Sequence, residues 1–434
     1  MNVMKSFPLL SFLYLIAASQ WVAAAPKIEH WITPAGSRVY FVENHALPML
    51  DVQVDFSAGT SRDHQGKSGL ASLTHALLDM GVADMDETVI ANRLADVGAH
   101  ISGGVDLDRA SVALRTLSTT DKRDTALEIF RAVLSSPQFP PEVFEREKAR
   151  TLASLKEALT RPEVIAHRAF WAALYPSHAY GRSATLDSVG TIRRDDLVDF
   201  YRNHYNAADA VVTIVGDITR GDAEVLSQKL TNGLSGGSAK GALGTPSLPR
   251  ADEQRFSHPA TQAHVLVGMP TLKRGDPDFF ALQVGNYTLG GGGFVSRLMS
   301  EVREKRGFAY SVYSYFMPLA QPGPFQIGLQ TKKEQADEAL KVVQDVLTQF
   351  LSDGPSDEEL VAAKQNIAGS FPLRLDSNRK ILENVAVIGF YALPLDYLDT
   401  YIDNVEKVTT ADVRAAFARH VKPENLITTI VGGG

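Results

Sequence analysis

The feature that most constrains the fold is that the chain repeats itself. Residues 192–216, "IRRDDLVDFYRNHYNAADAVVTIVG", align without a gap to 408–432, "VTTADVRAAFARHVKPENLITTIVG". Asp196 then meets Asp412, His204 meets His420, and "TIVG" meets "TIVG". Each copy reads as a helix, a turn and a buried strand. Further upstream, "ALEIFRAVL" (126–134) matches "ALKVVQDVL" (339–347) at nearly the same offset. A duplication at this scale means two similar domains, not a solenoid of short repeats. Between the copies, residues 233–252 are rich in Gly, Ser and Pro and carry no apolar period, so they read as a linker. The expected organisation is a domain over 25–232, the linker, and a second domain over 253–434. Within the first half, strand-like "SRVYFVEN", "MLDVQVDFSAG" and "RASVALRTLS" are interleaved with helical stretches. Strand pairs beside helix runs predict an α+β fold, each domain a mainly antiparallel sheet packed with helices.

The 434-residue chain has a net charge of −7 with no long run of one sign, which argues against nucleic acid or an anionic membrane surface as a partner. It has no cysteine, so thiolate nucleophiles, disulfides and cysteine-ligated zinc are excluded. Any metal site must be built from His, Asp and Glu. At the N-terminus Lys5 precedes an apolar run from Phe7 to Ala18, followed by Ala23, Ala24 and Ala25. This is the three-part pattern of a secretory signal, with cleavage expected after Ala24. The expectation is an exported protein, most simply periplasmic.

The stretch "LGGGGFVSRLMSEVREKRGFAY" (289–310) raises the functional question. Gly290, Gly291, Gly292 and Gly293 are not followed by the Lys of a phosphate-binding loop, and they lack Gly-x-Gly-x-x-Gly spacing. Glycines also admit a second backbone at close range, which suits a polypeptide ligand or a partner domain. The next residues predict a helix with Leu298 and Val302 on its apolar stripe, ended by Gly307. A strand follows, with Phe308, Tyr310, Val312 and Phe316 at alternate positions. Taken singly, Arg303 reads as a solvated or salt-bridged helix residue and Tyr310 as a core aromatic. Taken together, a helix and strand joined this tightly aim both tips at one point, where they offer donors to a peptide carbonyl or an oxyanion.

The glycine run with "REKRGFAYSVYS", and in the first half "SAGTSRDHQGKSGLASLTHALLDMG" with "ANRLADVGAHISGGVDLDRASVALRTLS", resemble the pitrilysin, insulin-degrading enzyme and mitochondrial processing peptidase family over essentially the whole exported chain. In that family an Arg followed seven residues later by a Tyr contacts substrate near the scissile bond. The resemblance carries that role onto Arg303 and Tyr310. The family binds zinc through an inverted His-x-x-Glu-His helix motif and a distal Glu. Here the aligned residues are Ser72 and Ala76 for the two His, His75 for the Glu, and Ser154 for the distal Glu, with Glu157 close by. Leu70, Leu73 and Leu77 keep the core stripe of that helix, and Ser72, His75, Ala76 and Asp79 form the face that would line the site. Three protein ligands are needed to hold a catalytic zinc, and this set does not supply them. His64 and His100 have no spacing that recruits them.

The resemblance therefore implies the non-zinc subunit of a heterodimeric zinc metallopeptidase. The chain itself carries no cofactor. Its partner is a homologous zinc-binding subunit with an intact His-x-x-Glu-His motif, and its ligands are peptide substrates. A catalytically inactive structural or peptide-binding module of the same fold is the alternative. A third reading pairs Ser72 with His75, at i and i+3 on one helix, as a hydrolase; no orienting acid or nucleophile-elbow glycines support it.

Overall fold

A computed structural model describes residues 26–432. The proposed leader and its cleavage site lie outside the described residues. In chain order the first half contains β1 (Glu29–Ile32), β2 (Arg38–Glu43), β3 (Met49–Phe56), α1 (Leu70–Ala76), the short hairpin β4 (Gly81–Val82) and β5 (Met85–Asp86), α2 (Glu87–Asp96), β6 (His100–Val105), β7 (Ala110–Leu117), α3 (Thr120–Ser135), α4 (Pro141–Ala158), α5 (Pro162–Leu174), α6 (Leu186–Gly190), α7 (Arg194–His204), β8 (Val211–Gly216) and α8 (Arg220–Thr231). The second half contains β9 (Asp252–Phe256), β10 (Gln262–Leu272), α9 (Phe279–Asn286), β11 (Ala309–Phe316), β12 (Gly323–Lys332), α10 (Ala336–Asp353), α11 (Asp357–Ser370), α12 (Asn378–Phe390), α13 (Tyr401–Lys407), α14 (Thr410–His420) and β13 (Ile427–Val431).

The two main sheets share one topology. The first runs β1-β2-β8-β3-β7-β6 and the second, from its other end, β9-β13-β10-β12-β11. In each, the late strand is parallel to the first strand of the shared core and antiparallel to the next, β8 against β2 and β3, β13 against β9 and β10. The remaining pairs are antiparallel. The α+β reading and the duplication therefore hold in three dimensions. The paired residues of the repeat have matched jobs. Asp196 and Asp412 each accept from the backbone N–H three residues earlier, at Arg193 (2.7 Å) and Thr409 (2.9 Å), and so close the first turns of α7 and α14. Ala126, Phe130, Val133 and Leu134 of α3 are buried, as are their counterparts Ala339, Val343, Val346 and Leu347 of α10.

The halves also exchange a helix. α5 lies on the second sheet, where Phe170, Trp171, Leu174 and Tyr175 form one apolar cluster with Leu266, Ile427 and Val431. α12 lies on the first sheet, where Ile381, Leu382, Val385 and Ile388 share a core with Tyr40, Val42, Val211 and Val215. Each such side chain, once fully buried, contributes roughly 1.5–3 kcal/mol. Polar contacts fix the register of α12: Arg38 Nη1 donates to the Gly389 carbonyl (3.0 Å) and Asn44 Nδ2 to Asn378 Oδ1 (2.7 Å). The exchange explains why β8 is apolar on both faces. Val211 and Val215 meet α12, while Val212 and Ile214 belong to the core on the other side. The segment from 236 to 251 has no regular structure, yet it is fastened down. Its carbonyls at Gly241, Gly244 and Pro249 accept from Arg62 (2.7 Å), His178 (2.8 Å) and Asn425 (2.6 Å).

Between the halves, the buried Asp108 in the β6–β7 turn accepts from Tyr180 Oη (2.5 Å), Tyr391 Oη (2.9 Å) and the Ala320 N–H (2.8 Å). This ties the β11–β12 turn and the end of α12 to the first domain.

Helix α12 can approach its sheet only because residue 389 is glycine. A Cβ there would stand 2.7 Å from the Tyr40 ring and 2.9 Å from Val211. Gly→Ala in an exposed helix is favourable by about 1 kcal/mol. At this position overpacking reverses the sign, and Gly389→Ala is expected to destabilise the protein by about 1–3 kcal/mol in urea unfolding. A gain in stability would show that α12 does not pack as described.

Candidate functional site

The helix α1 forms as its periodicity predicts. Leu70, Leu73 and Leu77 are buried, and Ser72, His75, Ala76 and Asp79 form the more open face. That face does not make a metal site. Ala76 has no ligand atom. His75 Nε2 donates to the carbonyl of Ser111 on β7 at 2.8 Å, so the imidazole tethers α1 to the sheet rather than facing free space in the cleft. Burial holds its pKa below the usual imidazole value, with the Ser111 carbonyl as the chief opposing influence. Ser154 and Glu157 are exposed on α4. Among the described residues, the only three His, Asp or Glu side chains close enough to share a cation are Asp276, Asp278 and His420, where Arg419 and His420 already bond Asp278. His64 is exposed near Phe200, and His100 stands on the edge strand β6 beside the cavity lined by Gly103 and Ser111. The residues at the zinc-motif positions do not fit zinc. Ser72 and His75 share a face but no hydrogen bond joins them, so the serine–hydrolase reading gains no geometric support.

The second half does bring its residues together. Arg303 lies in the last turn of a helical segment, Met299–Glu304, wound in wide π turns. Leu298 and Val302 are its buried anchors. The segment closes as expected at Gly307, whose φ of 64° is left-handed, with the Gly307 N–H on the Arg303 carbonyl (2.8 Å). The Arg303 guanidinium sits 5.0 Å from the Tyr310 ring centroid and 4.7 Å from that of Phe294. Both distances are within the range of cation–π attraction. No carboxylate or carbonyl pairs with Arg303 among the described residues, which leaves its donors open to a ligand.

The strand departs from the sequence reading. Strict alternation places Tyr310 and Val312 on one face. Instead, the pairing of β11 with β12 shifts register between Ala309 and Val312. This bulge rotates Tyr310 outward, to 85% exposure, while Val312 is 1% exposed. Tyr310 is therefore not a core aromatic. Phe294, 64% exposed, and its exposed neighbour Val295 complete an apolar and cationic surface that the sequence reading missed. The available signal was two large apolar residues directly after a glycine run, in a place where no helix stripe requires them.

The glycines need a correction as well. The close approach they permit is to the chain's own atoms. A Cβ on buried Gly290 would stand 2.5 Å from Ser314 Oγ and 2.7 Å from Ser314 N on β11. Gly291 and Gly292 lie equally tight on Asn286 and Tyr287 of the preceding turn. Gly293 has a φ of 61° and open space beside it. The run lets the loop lie flat on β11, where Asn286 and Ser314 bond reciprocally (2.7 and 3.0 Å), and it turns Phe294 outward. Arg297 anchors the loop to Glu359 on α11 through two bonds of 2.8 and 2.6 Å.

Comparison with known proteins identifies the family. Residues 38–187 match the family described as Insulinase (Peptidase family M16), and residues 191–367 match the Peptidase M16 inactive domain. A crystal structure of a peptidase M16 inactive domain from Pseudomonas fluorescens superposes with a TM-score of 0.90 at 37% identity, covering 94% of this chain and 98% of that one. The chain belongs to peptidase family M16. A relative in Helicobacter pylori named "Non-peptidase homolog YmxG" is 26% identical over 96% of both chains. An uncharacterized zinc protease of Streptomyces coelicolor is 27% identical over 86% of this chain and 83% of its own. This M16 chain thus has relatives named as inactive and relatives named as proteases.

A His held neutral by burial makes stability pH-dependent. In the unfolded chain His75 takes up a proton near pH 6.5; in the folded chain it does so only at lower pH. Its contribution is fully present above pH 6.5 and declines as the solution is acidified below it. His75→Gln retains a donor and does not titrate, so its stability should fall less than that of the parent chain between pH 7 and pH 5. Equal losses in urea titrations at the two pH values would remove the argument.

Proposed function

We propose that this chain is the zinc-less half of a heterodimeric peptidase and that it holds peptide substrates for hydrolysis at a zinc centre carried by a homologous partner. The observation that supports this most directly is the Phe294–Arg303–Tyr310 stack. Arg303 is held between two exposed rings with no anionic partner of its own, and Tyr310 is turned out by a bulge. An exposed aromatic on a bulged edge strand has no stabilising role in the core. It suits a ligand that brings its own backbone. β11 is an edge strand of its sheet, so an extended peptide can pair with it while its carbonyls accept from Arg303 and Tyr310. The same donors suit the oxyanion that develops when a carbonyl is attacked. The partner's metal would supply Lewis-acid polarisation and an activated water. The leader-like residues 1–24 support export and a periplasmic setting. No helix of the described residues is long and apolar enough to cross a membrane.

A peptide-binding module without catalytic duty is the second reading, favoured by the naming of the H. pylori relative as a non-peptidase. One experiment separates the two. The chain is purified alone and together with a co-encoded homologue bearing an intact His-x-x-Glu-His helix, and peptide turnover is followed. The expected result is activity only in the mixture. The double variant Arg303→Ala, Tyr310→Phe should lower kcat/KM at least tenfold with assembly unchanged. Tyr310 is exposed and Arg303 half-buried between two rings, so stability should shift by no more than about 1 kcal/mol. Unaltered turnover in the double variant sinks the catalytic role, and no turnover with any partner leaves the binding module.

A further inference from the structure

A second site lies between the domains, away from the Arg303 stack. A cleft of ≈ 440 Å³ opens where α5, the turn before β11–β12 pairing closes, and α12 meet. Its size falls within the roughly 300–1,000 Å³ of small-molecule sites. Its apolar wall is made by Trp171 of α5, Met317 and Leu319 of the β11–β12 turn, and Val387 of α12. Its polar wall holds Asp106, His167 and Ser183 beside three arginines, and two of its buried donors have no partner among the described residues. Trp171 is 6% exposed, and its Nε1 is buried with no hydrogen-bond partner among the described residues. Arg274 Nε is in the same condition. Both groups are donor-only, so only an acceptor can satisfy them.

Charge points the same way. Arg109 is neutralised by Asp55 (3.3 Å) and Asp106 (3.2 Å). Arg182 reaches only a carbonyl, that of Asp63 (3.1 Å). The Arg274 guanidinium rests 5.4 Å from the Tyr391 ring and has no carboxylate partner among the described residues. The nearby carboxylate of Asp108 is saturated by Tyr180, Tyr391 and the Ala320 N–H. Among the described residues Arg274 thus lines the cleft without a carboxylate partner, Arg182 donates only to a carbonyl, and the one carboxylate of the lining, Asp106, is paired with Arg109.

We infer that this interdomain cleft binds a hydrophobic carboxylate, with the anion on Arg274 and Arg182 and the apolar body against Trp171, Leu319 and Val387. The lining comes from both halves, so occupancy would also brace the domain interface. The carboxylate can belong to a free small acid or to the C-terminus of a peptide.

Trp171 provides the readout. Of the three tryptophans Trp21 lies in the proposed leader, so in the chain from residue 25 onward Trp31→Phe leaves Trp171 as sole reporter. N-acetyl-phenylalanine is expected to change its fluorescence saturably, and N-acetyl-phenylalaninamide to bind at least tenfold more weakly. Arg274→Gln should weaken the acid at least tenfold, and Val387→Phe, which fills the cleft, should do the same without touching a charge. A heptapeptide ending in Phe, with a free or amidated C-terminus, separates the sources. Binding of the free-ended peptide assigns the cleft to chain ends; binding of the small acid alone assigns it to a metabolite. No saturable response to either, equal affinity for acid and amide, or undiminished binding in both variants would overturn the inference.

Discussion

The exchange of α5 and α12 between the two halves is the constraint on which the rest of the structure depends. Each helix covers a sheet that the other half of the chain builds. Neither sheet is sealed by its own half, so the two domains stand or fall together. Strand β8 shows the consequence at residue level. Val211 and Val215 look to α12, Val212 and Ile214 to the first domain's own helices, and the strand is buried along its whole length. The same exchange brings Trp171 and Val387 into the lining of one interdomain cleft. It also carries Tyr391 to Asp108, where a buried acid joins three segments that are far apart in sequence.

The Arg303 site follows from a smaller device. Gly290 lets its loop lie on β11, and Asn286 and Ser314 lock the two together. On that base, π turns and a strand bulge aim three side chains at solvent. Bulges and π turns both forgo regular pairing, and both recur at functional sites because they redirect side chains that regular geometry would bury. The first-half site has undergone the opposite change. Where the resemblance implies two His and a Glu, the helix carries Ser72, His75 and Ala76, and its imidazole is spent on the Ser111 carbonyl. One half presents an exposed arginine–aromatic surface, while in the other the histidine makes a structural contact.

Much of this was legible in the residues. Asp196 and Asp412 sit at equivalent helix starts because both accept from the turn they close. Leu70, Leu73 and Leu77 keep a helical period because that stripe packs, whatever the opposite face does. Arg303 and Tyr310 are paired by the family resemblance, whose seven-residue spacing they match. Tyr310's exposure was not legible, because a period-two pattern assumes regular pairing, and the shift between Ala309 and Val312 depends on β12. Phe294 was passed over because an apolar residue after glycines has no period to belong to. The glycines themselves were assigned to an outside ligand, since a sequence does not say which backbone is near.

The sequence by itself determined the duplication and the α+β character, which local period and spacing carry, and it set Ser72, His75, Ala76, Arg303 and Tyr310 at positions to which the family resemblance gives meaning. Only the tertiary structure decided which sheet each helix covers, which face Tyr310 presents, what the glycines pack on, and that Trp171 and Arg274 line one cleft. Those outcomes rest on contacts between residues up to hundreds of positions apart, where the energy belongs to packed surfaces and to no segment alone.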